Sequence, residues 1–307
     1  MKQKEERSET DTLVSVYMPT HQRGELVSRA IDSVLNQTYK NIELIVCVDG
    51  RHDETIKILE EYRNKDSRVS YIINETSHGA CFARNRCIEK ARGDFITGID
   101  DDDEFTLDRV EEFLHYAKTM NIDIICAGRL YRNKKGTIVG DIYEGSITLD
   151  MLGSRNLIGN QIFTKTEYLK ALNGFDVDFP AWQDYDMWYR LIQRFGDCYK
   201  IKKPTYIFNV DDDRPRITTG SKSYLGYTLF LEKHKNNLTK NNVKELAVQD
   251  IINRGQEISL VDIFKNFTIY NLGLYCRYKL KKIKLLKDIY KKISAKKRFN
   301  NTDAEIK

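Results

Sequence analysis

The sequence predicts an α/β fold built on a mostly parallel, Rossmann-like sheet flanked by helices, with a basic helical extension at the C-terminal end. Three observations predict it. Short apolar runs alternate with helical patterns through the first hundred residues. The intervening patterns have the length of crossover helices, about 10–15 residues, which joins the strands in parallel. Charge is unevenly spread. From Glu257 to Lys307 there are 13 Lys/Arg against 5 Asp/Glu, while the preceding 256 residues carry 37 against 40.

Each element follows from its own pattern. Leu13–Met18 is an apolar run that reads as a buried strand, ended by Pro19. Leu26, Val27, Ala30, Ile31, Val34 and Leu35 recur at helical spacing, so Gly24–Asn36 is read as an amphipathic helix. Ile42–Val48 is a second strand, stopped at Asp49-Gly50. A helix over about Asp53–Tyr62, a strand at Val69–Ile73 and a helix at Ala80–Ala91 continue the alternation. Asp94–Ile99 is a fourth strand, and Asp100, Asp101, Asp102 and Asp103 follow it at once. Beyond, Ile122–Ala127 reads as a strand, and Arg129–Arg132 with Thr137–Ile142 as a hairpin. A helix ends over Tyr168–Leu172, closed by Asn173-Gly174. Asp184–Phe195 is a helix, and Tyr206–Val210 a last strand. The polar stretch Asp211–Asn242 has no assignable pattern. The division expected is a disordered 1–11, a sheet-bearing domain over 12–212, its closing part or a linker over 213–255, and a basic amphipathic tail over 256–307.

Composition limits the function. With 307 residues and 41% hydrophobic content, the chain can bury one sizeable core plus an appendage, or two small cores. Six cysteines without a CxxC pair give neither a zinc knuckle nor a disulfide framework, and they read as free thiols in a reducing compartment. The first residues, MKQKEERSETDT, have no apolar signal core, and no apolar run approaches the roughly 18 residues of a spanning helix. A cytoplasmic chain resting on a membrane is the expectation.

In open parallel sheets, ligands bind beyond the carboxyl ends of the strands. The Pro19-Thr20 turn, the Asp49-Gly50 turn and the Asp100–Asp103 run all fall there. Four adjacent carboxylates repel one another and are tolerated in solvent or around a cation. Oxygen ligands of this kind suit Mg²⁺ or Mn²⁺. The alternative is a solvated loop. No GxxxxGK[ST] loop is present, which disfavours a P-loop enzyme. Asp49 is either a turn residue or a carboxylate facing a ligand ring N–H. Asp184, at the start of a helix and beside Trp182 and Gln183, serves as a first-turn acid, as a general base at a pocket mouth, or as both. His21 lies on the same edge; His52, His78, His115 and His234 are scattered without metal spacing. In the tail, Ile283, Leu286, Tyr290 and Ile293 share one helical face, and Lys281, Lys284, Lys287, Lys291 and Lys292 fall opposite. That is the pattern of a helix lying in an anionic membrane surface; no recognised nucleic-acid fold accompanies it.

These residues together resemble family 2 glycosyltransferases. The resemblance is carried by the segment VSVYMPTHQRGELVSRAIDSVLNQTYKNIELIVCVDG, by Ala83-Arg84-Asn85 and Gly93-Asp94-Phe95-Ile96, and by the acidic run with Asp108-Arg109-Val110. It continues through Gly159-Asn160-Gln161, Gly174-Phe175-Asp176 and Gln183-Asp184-Tyr185-Asp186-Met187-Trp188, spanning roughly Leu13–Val210. It implies the GT-A nucleotide-sugar-binding fold and inverting transfer of a sugar. It further implies that Thr20 and Asp49 contact the uridine and that Arg84 lies near the nucleotide. Asp100 or Asp101 would hold the ribose, Asp102 a Mn²⁺ or Mg²⁺ ion on the donor diphosphate, and Asp184 would be the base. Gly159, Asn160, Gln161, Trp182, Gln183 and the Asp211–Arg216 loop would shape the sugar pockets. The chain departs from the family pattern at His21-Gln22, Val48, Arg51 and Gln183. Size and basic tail resemble bacterial O-antigen transferases. This implies a UDP-glucose or UDP-galactose donor and a GlcNAc-diphosphate-undecaprenol acceptor at the cytoplasmic face of the inner membrane, in lipopolysaccharide biosynthesis. The competing readings are transfer to another surface polysaccharide or to protein, a nucleotidyltransferase, and a membrane- or nucleic-acid-binding protein with a degenerate domain. The loop Pro19-Thr20-His21-Gln22-Arg23-Gly24 fits a nucleotidyltransferase poorly.

Overall fold

The computed structural model describes residues 12–140, 142–210 and 221–282. In chain order its elements are β1 (Val14–Thr20), α1 (Gly24–Leu35), β2 (Ile42–Asp49), α2 (Asp53–Lys65), β3 (Val69–Asn74), α3 (Ala80–Lys90), β4 (Phe95–Gly98) and β5 (Glu104–Phe105). Then come α4 (Arg109–Met120), β6 (Ile124–Asn133), β7 (Gly136–Val139), β8 (Gly145–Ile147), α5 (Leu149–Ser154), β9 (Phe163–Lys165), α6 (Thr166–Ala171), α7 (Gln183–Phe195) and β10 (Cys198–Asn209). Four helices follow: α8 (Ser221–His234), α9 (Lys240–Asn253), α10 (Leu260–Lys265) and α11 (Ile269–Lys282).

The strands form one sheet in the order β3-β2-β1-β4-β9-β6-β10-β5, with β7 on β6 and β8 on β10. β3, β2, β1 and β4 are parallel, as are β6 and β10. Antiparallel β9 lies between β4 and β6 and joins the two parallel sets. Alternation along each strand divides the core into two layers. Val14, Val16 and Met18 face α1, α2 and α4 through Val27, Ile31, Leu59 and Phe113. Tyr17, Ile45 and Cys47 face α3, α6, α7 and α8 through Ala83, Leu169, Trp188 and Phe230.

The sequence expectation of a strand ended by Pro19 is corrected: β1 runs through Pro19 to Thr20. The Tyr17 carbonyl accepts from Ile99 N–H on the β4 side. Alternation turns Pro19 to that same side, where pairing with β4 has already stopped at Tyr17. Its missing N–H therefore costs no ladder bond. The unassigned polar stretch carries α8 and the start of α9, and β10 begins eight residues before the expected Tyr206.

Side chains of the expected pattern staple these elements. Gln37 Nε2 donates to the Ser33 and Thr106 carbonyls, and its Oε1 accepts from Val110 N–H, which fixes the end of α1 to the start of α4. The buried Arg109 guanidinium lies 4.5–5.3 Å from the Phe105, Phe113 and Tyr206 rings. Burial pulls its pKa down to about 10, with Tyr206 and other neighbours opposing. The tail face read from Ile283 onward, the 1–11 segment and the Asp211–Arg216 loop lie outside the described residues. Among the described residues, no helix is long and apolar enough to cross a membrane.

Candidate functional site

Parallel pairing brings the carboxyl ends of β1, β2 and β4 to one edge, and the loops after them hold the acidic residues. The backbone turns at Asp100–Asp103, where Asp103 N–H donates to the Asp100 carbonyl at 3.1 Å. The four carboxylates still repel one another across that turn, and Arg84 and Arg23 offset part of this by bonding Asp100, Asp101 and Asp102. Asp100 accepts from Arg84 Nη2 (3.0 Å), Gln161 Nε2 (3.3 Å) and Asn160 Nδ2 (3.1 Å). Asp101 accepts from Arg23 Nη1 at 3.1 Å. Burial pushes the Asp101 pKa up to about 6 against the opposing pull of Arg23 and Thr20. Asp102 accepts from the same Arg23 nitrogen at 2.6 Å and has the most exposed side chain of the three. Asp103 turns inward to the Asn209 N–H at 3.0 Å, and burial together with Asp100 and Asp102 pushes it up to about 8.

Arg84 ties this turn to the far helix. Its guanidinium is buried, bonds Asp100 and sits 3.4 Å from Asp184 Oδ1 through Nη1. Burial disfavours its charge, but Asp184 and Asp100 outweigh that and hold its pKa above the ordinary value. It also lies 5.2 Å from the Phe175 ring centre. The neighbouring Asn85 explains why Ala83-Arg84-Asn85 and Gly174-Phe175-Asp176 occur together. Asn85 Nδ2 donates to the Phe175 carbonyl and its Oδ1 accepts from Phe175 N–H, both at 2.7 Å. A Cβ at Gly174, where φ is +69°, would stand 2.2 Å from Asn85 Oδ1. Gly98 plays the same part beneath Asp100. A Cβ there would lie 2.1 Å from Gln161 Oε1, the atom that accepts from Tyr17 Oη at 3.0 Å.

Asp184 occupies the first turn of α7. Burial is the largest influence on it, Asp100 adds to this, Arg84 opposes it, and the result is a pKa of about 6. Trp182 sits at the helix entrance with φ +66°. Its indole is buried among Tyr185, Tyr227 and Phe230, and Nε1 donates to Ser223 Oγ at 3.4 Å. Gln183 is the first, half-buried residue of α7.

Asp49, at the end of β2, is braced from the loop before α3. It accepts from Asn74 Nδ2 (3.0 Å), Ser77 Oγ (2.7 Å), His78 N–H (2.9 Å) and Gly79 N–H (2.7 Å). Burial alone would raise its pKa; these bonds outweigh it and hold the carboxyl below the ordinary value. His21 Nδ1 is bonded to the Asp49 carbonyl. Thr20 is buried at the last position of β1. A hollow of about 570 Å³ opens beside it, lined by His21, Gln22, Arg23, Gly24, His52 and Glu54.

Thr20, Arg84, Asp100, Asp101, Asp102, Asn160 and Asp184 therefore gather on one edge, and Asp49 ends β2 at the same edge. Gln161, expected with Gly159 and Asn160 at the sugar pocket, belongs to the same constellation, as does Arg23, which had no assigned role. Arg23 stands in the loop after the first strand, but its partners are 78 and 79 residues away, so no local pattern reveals them. The donor set also bears on a metal. Among the described residues, no group of three or more His, Cys, Asp or Glu side chains could hold an ion by itself. The half-buried Asp102 carboxylate at the rim nonetheless fits a Mg²⁺ or Mn²⁺ that takes its other ligands from substrate phosphate and water.

The family model described as Glycosyl transferase family 2 matches residues 15–172. A putative colanic acid biosynthesis glycosyl transferase, WcaA of Escherichia coli K12, is 36% identical over 233 residues, covering 73% of this chain and 81% of that protein. The Escherichia coli UDP-Glc:alpha-D-GlcNAc-diphosphoundecaprenol beta-1,3-glucosyltransferase WfgD is 32% identical over 60% of this chain and 71% of its own. Among solved structures, Staphylococcus aureus TarS 1-349 in complex with UDP-GlcNAc superposes with a TM-score of 0.65 at 16% identity, over 85% of this chain and 78% of that one.

Proposed function

The chain belongs to glycosyl transferase family 2, and from that premise we propose that it moves a hexose from a UDP-sugar to a GlcNAc-diphosphate lipid with inversion at the anomeric carbon. It is a glycosyltransferase with a GT-A-type α/β fold. The observation that carries the finer reading is the Asp100–Arg84–Asp184 bridge, which sets a carboxylate of raised pKa against the acidic edge.

The proposed chemistry is a single displacement. Asp184 takes the proton of the acceptor hydroxyl, the oxygen attacks the anomeric carbon from the face opposite the diphosphate, and the C–O bond to UDP breaks as the new glycosidic bond forms. A base with pKa near 6 is mostly ionised at neutral pH and still accepts a proton effectively. Thr20, Asp49 and the hollow beside His21 lie where the nucleoside would be held. Asp49 acts there by fixing the 74–79 loop, because both of its oxygens are engaged by that loop. Asp101 and Asp100 flank the ribose position. Asp102 would hold Mn²⁺ or Mg²⁺, which supplies charge compensation to the departing diphosphate. Arg23, paired with Asp101 and Asp102, would add a positive charge beside the diphosphate position. Asn160, Gln183 and the rim of the Trp182 turn border the sugar side.

The relative WfgD, named for transfer to GlcNAc-diphosphoundecaprenol, supports the lipid-linked acceptor. Such an acceptor would place the chain at the cytoplasmic face of the bacterial inner membrane, in O-antigen assembly. A second reading keeps the chemistry and changes the product to another surface polysaccharide; the relative named for colanic acid biosynthesis favours it. UDP release from a panel of UDP-sugars, with a GlcNAc-diphosphate-lipid analogue and Mn²⁺, tests the proposal. Release is expected only with metal and acceptor both present, and chelation should abolish it. Failure with every common nucleotide sugar and acceptor, or full turnover after chelation, would overturn it.

A further inference from the structure

α11 carries two apolar faces. Leu274, Tyr275 and Tyr278 pack on Val248, Ile258 and Ile263. Between those inward positions, Asn271 is fully buried and donates to the Lys244 and Asn266 carbonyls, which locks the helix to α9 and the α10 loop. The other face holds Ile269, Leu272 and Leu280, spaced i, i+3 and i+11 on one stripe, and 86%, 42% and 42% exposed. α10 repeats the arrangement. Ile263 is buried beneath it, while Leu260, Val261 and Phe264 point outward at 69%, 59% and 87% exposure. Phe267, 54% exposed, lies in the connection between the two helices. Single exposed apolar side chains are ordinary, but a run of them over two consecutive helices is not.

We propose that this ridge is the surface by which the chain inserts into an anionic lipid bilayer. The occupant is assigned by charge. From Glu257 to Lys282, the segment that carries the ridge, the chain has five Lys/Arg against two Asp/Glu, and both acids precede Ile263. Lys282 is paired with Glu257, and bulky apolar groups beside the remaining excess of basic ones match the acyl boundary and headgroups of an anionic leaflet together. Capping boxes, Thr239 with Asn242 and Ser259 with Asp262, fix the starts of α9 and α10, and the Asn271 bonds with the cluster around Val248 hold α11 against them, so the ridge is displayed without a folding step. This places the insertion residues ahead of the lysine-rich pattern, and makes binding more than charge attraction. The inference deepens the lipid-linked acceptor reading by naming the surface that would meet the membrane, and it stands on the ridge itself.

Binding of the full chain to phosphatidylcholine vesicles with and without phosphatidylglycerol tests it, with no acceptor lipid present. The chain should bind the anionic vesicles. Part of that binding should survive about 0.5 M salt, where surface charge is screened within a few Å. Phe264→Ser with Ile269→Ser should weaken binding at least about tenfold, as loss of two inserted side chains demands. Leu260→Ser with Val261→Ser provides a second variant if the first fails to fold. UDP release with a soluble acceptor should be unchanged in both, so failure of the transfer chemistry is read separately. Undiminished vesicle binding by a folded variant, or binding abolished by salt alone, overturns the proposal. So does a dimer of the parent chain that the variants disperse, together with no affinity for vesicles.

Discussion

Burial and Asp100 push the Asp184 carboxyl up to about 6 against the pull of Arg84, while Asp186, two residues on, is driven the other way. Burial alone would raise Asp186, but His234, Arg190 and Lys233 outweigh it and hold its pKa below the ordinary value. The first is therefore poised to take a proton and the second is a fixed anion. If Asp184 is the base, its ionised form is the active one. The rate constant kcat/KM should then rise with pH through about 6, where Asp101 ionises as well, and level above it. Asp184→Asn should lower kcat by about 10²–10⁴-fold and leave UDP-sugar affinity nearly unchanged. Its stability near pH 7 should hold or improve. A carboxyl whose folded pKa exceeds its unfolded one contributes stability only at low pH and loses it as pH rises through the folded value. Single-turnover rates and thermal melts check both halves; an unaltered rate would remove Asp184 from the chemistry. At this scale, the acids were legible because they follow a strand or open a helix. Arg23 was not, because only folding brings it to Asp101 and Asp102.

At the scale of elements, Asp186 is the pin between α7 and α8. It is wholly buried, with His234 Nε2 at 2.9 Å, Arg190 Nε at 2.9 Å and Lys233 Nζ at 2.9 Å. Asp186→Ala would strip the buried His234 and Arg190 of their carboxylate and leave Lys233 with Asp176 alone, around a hole, so stability near neutral pH should fall by about 3 kcal/mol. Urea unfolding reads this directly. The gap should narrow in acid. A carboxyl with a depressed folded pKa contributes above its unfolded value and loses that contribution as pH falls through the folded one. An unchanged midpoint would show that the cluster is dispensable. This pin also explains why α8 escaped sequence reading. Its inner face includes the buried polar Ser223 and His234 beside Phe230, while Tyr224 and Leu225 face outward. The apolar period is therefore blurred. β5 and β9 were missed for another reason: two and three residues are too few to show alternation. The early strands and helices of the first hundred residues were legible because each buries a regular stripe on a common sheet.

For the whole molecule, the sheet sets an acidic edge at one place and the last helices set an apolar, basic surface at another. The basic extension was visible in composition, yet composition could not show which apolar residues stay exposed. That depends on α11 using one face to pack and leaving the other free. Eight Lys/Arg and three Asp/Glu follow Lys282. A chain ending at Lys282 keeps the cluster of Val248, Ile258 and Ile263 with its cover of Leu274, Tyr275 and Tyr278. It should therefore fold and turn over a soluble acceptor like the full chain. It loses basic residues that each contribute up to about 1 kcal/mol near anionic headgroups. Its binding to anionic vesicles should fall steeply at low salt, while the part that resists salt persists, because the ridge remains. Vesicle sedimentation of both chains across a salt series separates the two contributions. Parallel salt curves of equal height would mean the residues after Lys282 add nothing, and loss of the salt-resistant part would mean that they, and not the ridge, do the inserting.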